Sequence, residues 1–169
     1  MSQLIFKFPF KATYFENDFY VSSNNFSAYK LIESCPNWPD KWINIFGPKG
    51  CGKTHLVNIL KKKIDSFYKK ASDFNNSDLI KIEKYQCIII DNYENNINDN
   101  LLYSLLNHSK QLNKYIVINS LKPLHLFSTN LKDLESRLNS FLKVSIDYPT
   151  DDLLRVIISK SFSDKQINL

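Results

Sequence analysis

Gly47-Pro48-Lys49-Gly50-Cys51-Gly52-Lys53-Thr54 satisfies G-x-x-x-x-G-K-[ST] in full. The apolar run "KWINIF" precedes it, and a helical pattern, "HLVNILKKKI", follows. That is the context a phosphate-cradling loop requires. Glycines let backbone N–H groups turn inward around phosphate oxygens, and the helix N-terminus adds partial positive charge. Lys53 then reaches the β- and γ-phosphates of ATP or ADP, and the Thr54 hydroxyl holds Mg²⁺. A carboxylate for the same cation is expected at Asp91, which ends the apolar run "CIII".

Around this pair the chemistry is less determined. Asn92 stands beside Asp91, and an amide cannot take a proton at neutral pH. Intrinsic hydrolysis should therefore be slow. Glu94, two residues on, either substitutes as the base or is a surface charge. Asn119 and Ser120 end the run "YIVINS". A polar side chain there either senses the γ-phosphate or caps the strand. His55, His108 and His125 have no metal-ligand spacing.

The elements that must position these groups follow from pattern. Buried strands are expected in "KWINIF", "SFYKKA", "CIIID", "YIVINS" and "FLKVSID". Helices are expected after Ser22, Ser23 or Asn24, after the phosphate loop, over "NDNLLYSLLNHSKQLN", over "LKDLESRLNS", and over "TDDLLRVIISKSF" behind a Thr150 or Asp151 cap. This alternation predicts an α/β fold with a mostly parallel five-stranded sheet between helices. Right-handed crossovers place the strand-to-helix loops on one edge, where such sheets bind ligands.

Composition sets wider bounds. The chain has 169 residues, 43% hydrophobic and 23% charged, with a net charge of +5. One domain with a real core is expected. The basic balance permits an acidic partner but is ordinary for a Lys-rich surface. Cys35, Cys51 and Cys87 form no CxxC pair, which argues against a disulfide framework or zinc site. No apolar run reaches membrane-spanning length, and Lys7, Pro9 and Lys11 interrupt the N-terminal apolar segment. A cytoplasmic protein without membrane contact is expected. Residues 1–12 read as a separate tail, 13–160 as the nucleotide-binding core and 161–169 as the start of a truncated helical lid.

"FYVSSNNFSAYKLI", "GPKGCGKTHL", "CIIIDN", "LESRL" and "PTDDLLRVIISK" occur in an order and spacing that resemble the AAA+ domain of the DnaA/Hda family. The "DN" after the third strand is more similar to Hda-like regulators than to DnaA. The resemblance implies that Gly47 to His55 bind nucleotide and that Val21, Ser22 and Asn24 line the adenine pocket. It implies that Arg137 of the "SRL" box is an arginine finger for a neighbouring subunit. Asp133 and Glu135 offer the alternative of a surface ion pair. It also likens Gln3-Leu4-Ile5-Phe6-Lys7-Phe8 to a sliding-clamp motif, carried by Gln3, Leu4, Phe6 and Phe8, with Phe6 replacing the usual Leu. The alternative is an added edge strand. Leu121 departs from the family pattern after "NS", and the chain ends at "SDKQINL", where the lid should begin.

The function so implied is regulation of bacterial replication initiation. A clamp-bound protein would promote hydrolysis of ATP on DnaA through Arg137. DNA would be contacted only indirectly, and AAA+-type self-association is possible for such a domain. The alternatives are an initiator or helicase-loader ATPase domain, or a non-catalytic clamp-tethered adaptor.

Overall fold

The computed structural model describes residues 19–164. The tail carrying Gln3, Leu4, Phe6 and Phe8 lies outside the described residues, as do residues 165–169. The chain runs α1 (Phe26–Glu33), β1 (Trp42–Phe46), α2 (Lys53–Lys63), β2 (Ser66–Lys70), α3 (Asp78–Lys81), β3 (Cys87–Tyr93), α4 (Asp99–Gln111), β4 (Tyr115–Ser120), α5 (Lys132–Asn139), β5 (Leu142–Ser145) and α6 (Asp151–Asp164).

The strands form one sheet in the order β2-β3-β4-β1-β5, with every neighbouring pair parallel. Side chains alternate across it, so its two faces build two cores. Ile88, Ile90, Ile116 and Ile118 pack on one face with Leu102, Leu105 and Leu106 of α4 and Leu134 and Leu138 of α5. Ile43, Ile45, Ile89 and Val117 pack on the other with Ala28 and Ile32 of α1 and Leu56, Val57 and Leu60 of α2. Both faces are covered, which is why β1, β3 and β4 read as nearly continuous apolar runs. Burial also pushes the Cys87 thiol far above its usual range, so it stays a neutral core group.

Asn44 interrupts the apolar run of β1 yet is wholly buried. Its Nδ2 donates to the Ile118 carbonyl at 3.0 Å and to Ser120 Oγ at 2.8 Å, and its Oδ1 accepts from Leu124 N–H at 3.0 Å. A buried amide with partners at both ends ties the tip of β4 to the loop beyond it.

Two expectations need correction. The first helix begins at Phe26, with Asn25 at its cap. Residues 22–25 instead make a turn, in which Asn25 Oδ1 accepts from Ser22 N–H at 2.9 Å. Within α1, Ala28 and Ile32 are buried and Phe26 is exposed. The stretch "LIKIEKY", left unassigned by pattern, belongs to α3 and a 3₁₀ turn. The boundary expected at residue 160 falls inside α6, whose first turn is capped by Thr150 Oγ1 accepting from Leu153 N–H at 3.3 Å.

The cap of α4 gives a direct test of local stability. Asn98 Oδ1 accepts from Asn100 N–H at 3.0 Å. Asn98→Ala should lower stability by about 1 kcal/mol, read as a lower urea midpoint with an unchanged slope.

Candidate nucleotide site at the carboxyl edge

The strand order sets β1 between β4 and β5. The loop leaving β1 therefore rises beside the tip of β4, with the tip of β3 one strand further on. Gly47 N–H donates to the Ser120 carbonyl at 3.2 Å, which seats the loop on the edge. A Cβ at Gly47 would run into the Ile146 carbonyl oxygen, so the close approach excludes any larger residue. Gly52 caps α2 at φ 105°, in the left-handed region that glycine tolerates.

Lys53 is nearly buried, and its Nζ donates to the carbonyls of Gly47 at 2.6 Å and Pro48 at 2.8 Å. Thr54 Oγ1 donates to Asp91 Oδ2 at 3.0 Å. Asp91 is wholly buried, and its Oδ1 accepts from Asn119 Nδ2 and from Asn92 N–H, both at 3.0 Å. The residues selected at three separated points of the sequence thus meet in one hydrogen-bonded group. Asn119 is itself fully buried, and among the described residues its Oδ1 has no hydrogen-bond partner. A buried acceptor left open at the site is a place for a ligand or its water.

Asn92 has a backbone reason to be there. It sits at φ 56°, where the pairing of β3 with β4 slips between Ile90 and Tyr93. Asn is among the few residues that adopt this conformation readily. Tyr93 then returns to the core; its phenol is pushed up to about 12, by burial first and by the charge of Asp99 second.

A cleft of about 360 Å³ opens above the loop. Gly50 to His55 line its floor, Phe19, Tyr20 and Asn25 one wall, and Pro149, Leu153 and Ile157 another. The aromatic segment expected near adenine does reach the cleft, but different members face it. Val21 is exposed, and Ser22 hydrogen-bonds to Asn24. Asn24 Nδ2 donates to the Asp147 carbonyl at 3.2 Å, pinning this segment to the stretch after β5. Turning of the chain at residues 22–25 puts these three off the wall and Asn25 on it. Pro48, Lys49 and Glu94 do not line the cleft, and Lys49 and Glu94 are exposed. His55 packs edge-on against Phe19, with ring centroids 5.1 Å apart.

Sequence reasoning missed Phe19, Tyr20 and Asn25 on the wall, and it missed Tyr68. The Tyr68 hydroxyl donates to Asp91 Oδ2 at 3.0 Å. The only sequence signal was a strand-favouring aromatic in a short polar run.

Arg137 lies elsewhere. With Lys41, Trp42, Lys114 and Ser140 it lines a hollow of about 690 Å³. Those neighbours sit at the starts of β1, β4 and β5, so the hollow is at the amino edge of the sheet. The guanidinium lies over the Tyr103 ring, 5.4 Å from its centroid. Among the described residues Arg137 forms no ion pair with Asp133 or Glu135. No described helix is long and apolar enough to cross a membrane.

A parallel sheet in this order, a phosphate loop after β1, an acid at the tip of β3 and an amide at the tip of β4 define a P-loop fold of the AAA+ type. Comparison with known proteins gives a narrower likeness. No protein-family model matches the chain. The chromosomal replication initiator protein DnaA of Spiroplasma citri is 26% identical over 167 residues, covering 80% of this chain and 36% of that protein. Domain III of Thermotoga maritima DnaA superposes with a TM-score of 0.75 at 21% identity, over 96% of this chain and 78% of that one. AMPPCP-bound DnaA from Aquifex aeolicus superposes at 0.69 and 21% identity, over 92% and 56%. The chain shares the fold of these DnaA domains, and it spans about a third, 36%, of the curated relative it matches.

Proposed function

We propose that this domain binds ATP or ADP with Mg²⁺ at the carboxyl edge and presents Arg137 to nucleotide on a neighbouring DnaA-type subunit. The observation that carries this is the separation of the two groups across the sheet. Lys53, Thr54, Asp91 and Asn119 gather at one edge, and Arg137 lines a hollow at the other. A strand of five residues spans roughly 15 Å, so Arg137 cannot complete the site of its own chain. That separation supports a role for Arg137 on another subunit.

The residues present fit a nucleotide-bound Mg²⁺. This ion takes one or two carboxylates with hydroxyl, water and phosphate oxygens rather than a full protein cage. Thr54 and Asp91 supply two hard oxygens, and no described group of three or more His, Cys, Asp or Glu could hold a metal alone. When bound, Mg²⁺ would neutralise charge building on the phosphates. Lys53 would hold β- and γ-oxygens, and the open Oδ1 of Asn119 would accept from water near the γ-phosphate. Asn92 is exposed at the cleft and offers no base, which supports slow hydrolysis by the chain alone.

In the finer reading this is an Hda-like regulator. The tail would tether it to the DNA polymerase sliding clamp, and Arg137 would promote hydrolysis of ATP on DnaA. DNA would then be met only through the clamp. Removal of residues 1–8 tests the tether: clamp affinity on the order of micromolar should be lost, with the thermal midpoint unchanged. Equal clamp binding by both forms would refute it.

A second reading is an initiator ATPase domain, because the curated relative matched is a chromosomal replication initiator protein DnaA. One neighbour is DnaA bound to AMPPCP and single-stranded DNA. Nucleotide-dependent assembly of this chain on DNA without clamp would favour that reading. Stimulation of DnaA-bound ATP hydrolysis only with DNA-loaded clamp would favour the regulator.

A further inference from the structure

We infer that Tyr68 is a positioning residue that holds the Asp91 carboxylate in place for a nucleotide-bound Mg²⁺, with Lys61 reinforcing it. The inference rests on the nucleotide reading above. Asp91 is wholly buried, and the hydrogen bonds found to it come from four neutral donors. Asn119 and Asn92 N–H hold Oδ1, and Thr54 and Tyr68 hold Oδ2, all at 3.0 Å. A buried carboxyl group needs its oxygens hydrogen-bonded, and the donors fix its orientation.

Three of those donors belong to the phosphate-site machinery or to the β3 backbone. Tyr68 comes from outside it, on the edge strand β2. Its position follows from register. Tyr68 pairs with Ile89, and Lys70 pairs with Asp91. Residues two apart share a face, so Tyr68 and Asp91 lie on the same side of the sheet, the side covered by α2. The phenol must reach along the strand to the next residue of that face. A long side chain ending in a donor is required, which Ser or Thr could not supply.

Lys61 extends the link to the helix that carries Lys53 and Thr54. Its Nζ lies 4.3 Å from the centroid of the Tyr68 ring. A cation against the ring draws electron density from the phenol and strengthens its O–H as a donor. The Thr54 hydroxyl can offer its lone pairs to the cation while its O–H donates to Asp91 Oδ2. Tyr68 then keeps Oδ2 from rotating away.

The test titrates MgCl₂ into the full chain with a fluorescent ADP analogue and repeats the binding in EDTA. For Tyr68→Phe, the half-saturating Mg²⁺ concentration should rise about tenfold, as loss of an outer-sphere partner does. Affinity in EDTA should stay within about twofold of wild type, since the ring packing is kept. Lys61→Gln should raise the Mg²⁺ midpoint by a smaller factor. An unchanged midpoint for Tyr68→Phe overturns the inference. So does an equal loss with and without Mg²⁺, which would make Tyr68 merely structural. If wild type binds the analogue equally well in Mg²⁺ and EDTA, the metal role fails for both proteins. If wild type does not bind it at all, the nucleotide reading itself fails.

Discussion

Arg137→Ala should abolish stimulated hydrolysis of ATP on DnaA in a mixture with DNA-loaded clamp, while leaving this chain folded and able to bind nucleotide. The sizes of the two effects decide what is being read. An arginine finger completing a neighbour's site contributes roughly 10³–10⁵ in rate. The contact visible within this chain is the guanidinium over Tyr103, 5.4 Å from the ring centroid. Such a contact at a partly exposed site is worth about 0.5–1 kcal/mol. Leu134 and Leu138, which anchor the helix in the core, are untouched by the change. Stability should therefore move slightly and rate enormously. Own-site nucleotide binding should not move, because that site is on the opposite edge. Arg137→Lys should restore little, since an ammonium lacks the planar fork. If the Ala variant stimulates as well as wild type, Arg137 is not the finger.

The second large effect is on the site itself. Lys53 Nζ donates to the carbonyls of Gly47 and Pro48 at 2.6 and 2.8 Å and is nearly buried. A phosphate oxygen is a stronger acceptor than a peptide carbonyl, because it carries charge. Binding would exchange one for the other with little movement of the ammonium. Lys53→Ala removes the charge-assisted contact, worth about 1.5–3 kcal/mol. That predicts a loss of affinity for ATP and ADP of roughly 10- to 150-fold. Titration calorimetry of both proteins checks it. The two carbonyls also lose a donor, so the thermal midpoint should fall modestly. Unchanged nucleotide affinity would mean that the loop is not the phosphate site.

Much of this molecule was legible before any tertiary structure. The five strands, the loop from Gly47 to Thr54, Asp91 and Asn119 all come from signals confined to short stretches. A strand buried on both faces must be apolar for several residues running, and a phosphate loop must place its glycines, Lys and Thr within eight positions. Polar residues at the ends of buried strands point to the sheet edge. None of this requires knowing which strand lies beside which.

What only the tertiary structure decided depends on pairing between distant segments. Tyr68 matters because β2 pairs with β3 in a register that sets it one step along the same face from Asp91. Asn44 is a structural tie because β1 lies beside β4, bringing the Ile118 carbonyl and Ser120 within its reach. The cleft wall is Phe19, Tyr20 and Asn25 rather than Val21, Ser22 and Asn24. Asn24 is held by Asp147, which lies 123 residues away in sequence. The edge occupied by Arg137 follows from α5 ending where β5 begins, an arrangement that closes only when the whole sheet is assembled. Local patterning follows from backbone geometry and burial within a few residues. Register and edge follow from long-range packing, and a one-residue slip of β2 or β1 would turn Tyr68 or Asn44 to the other face.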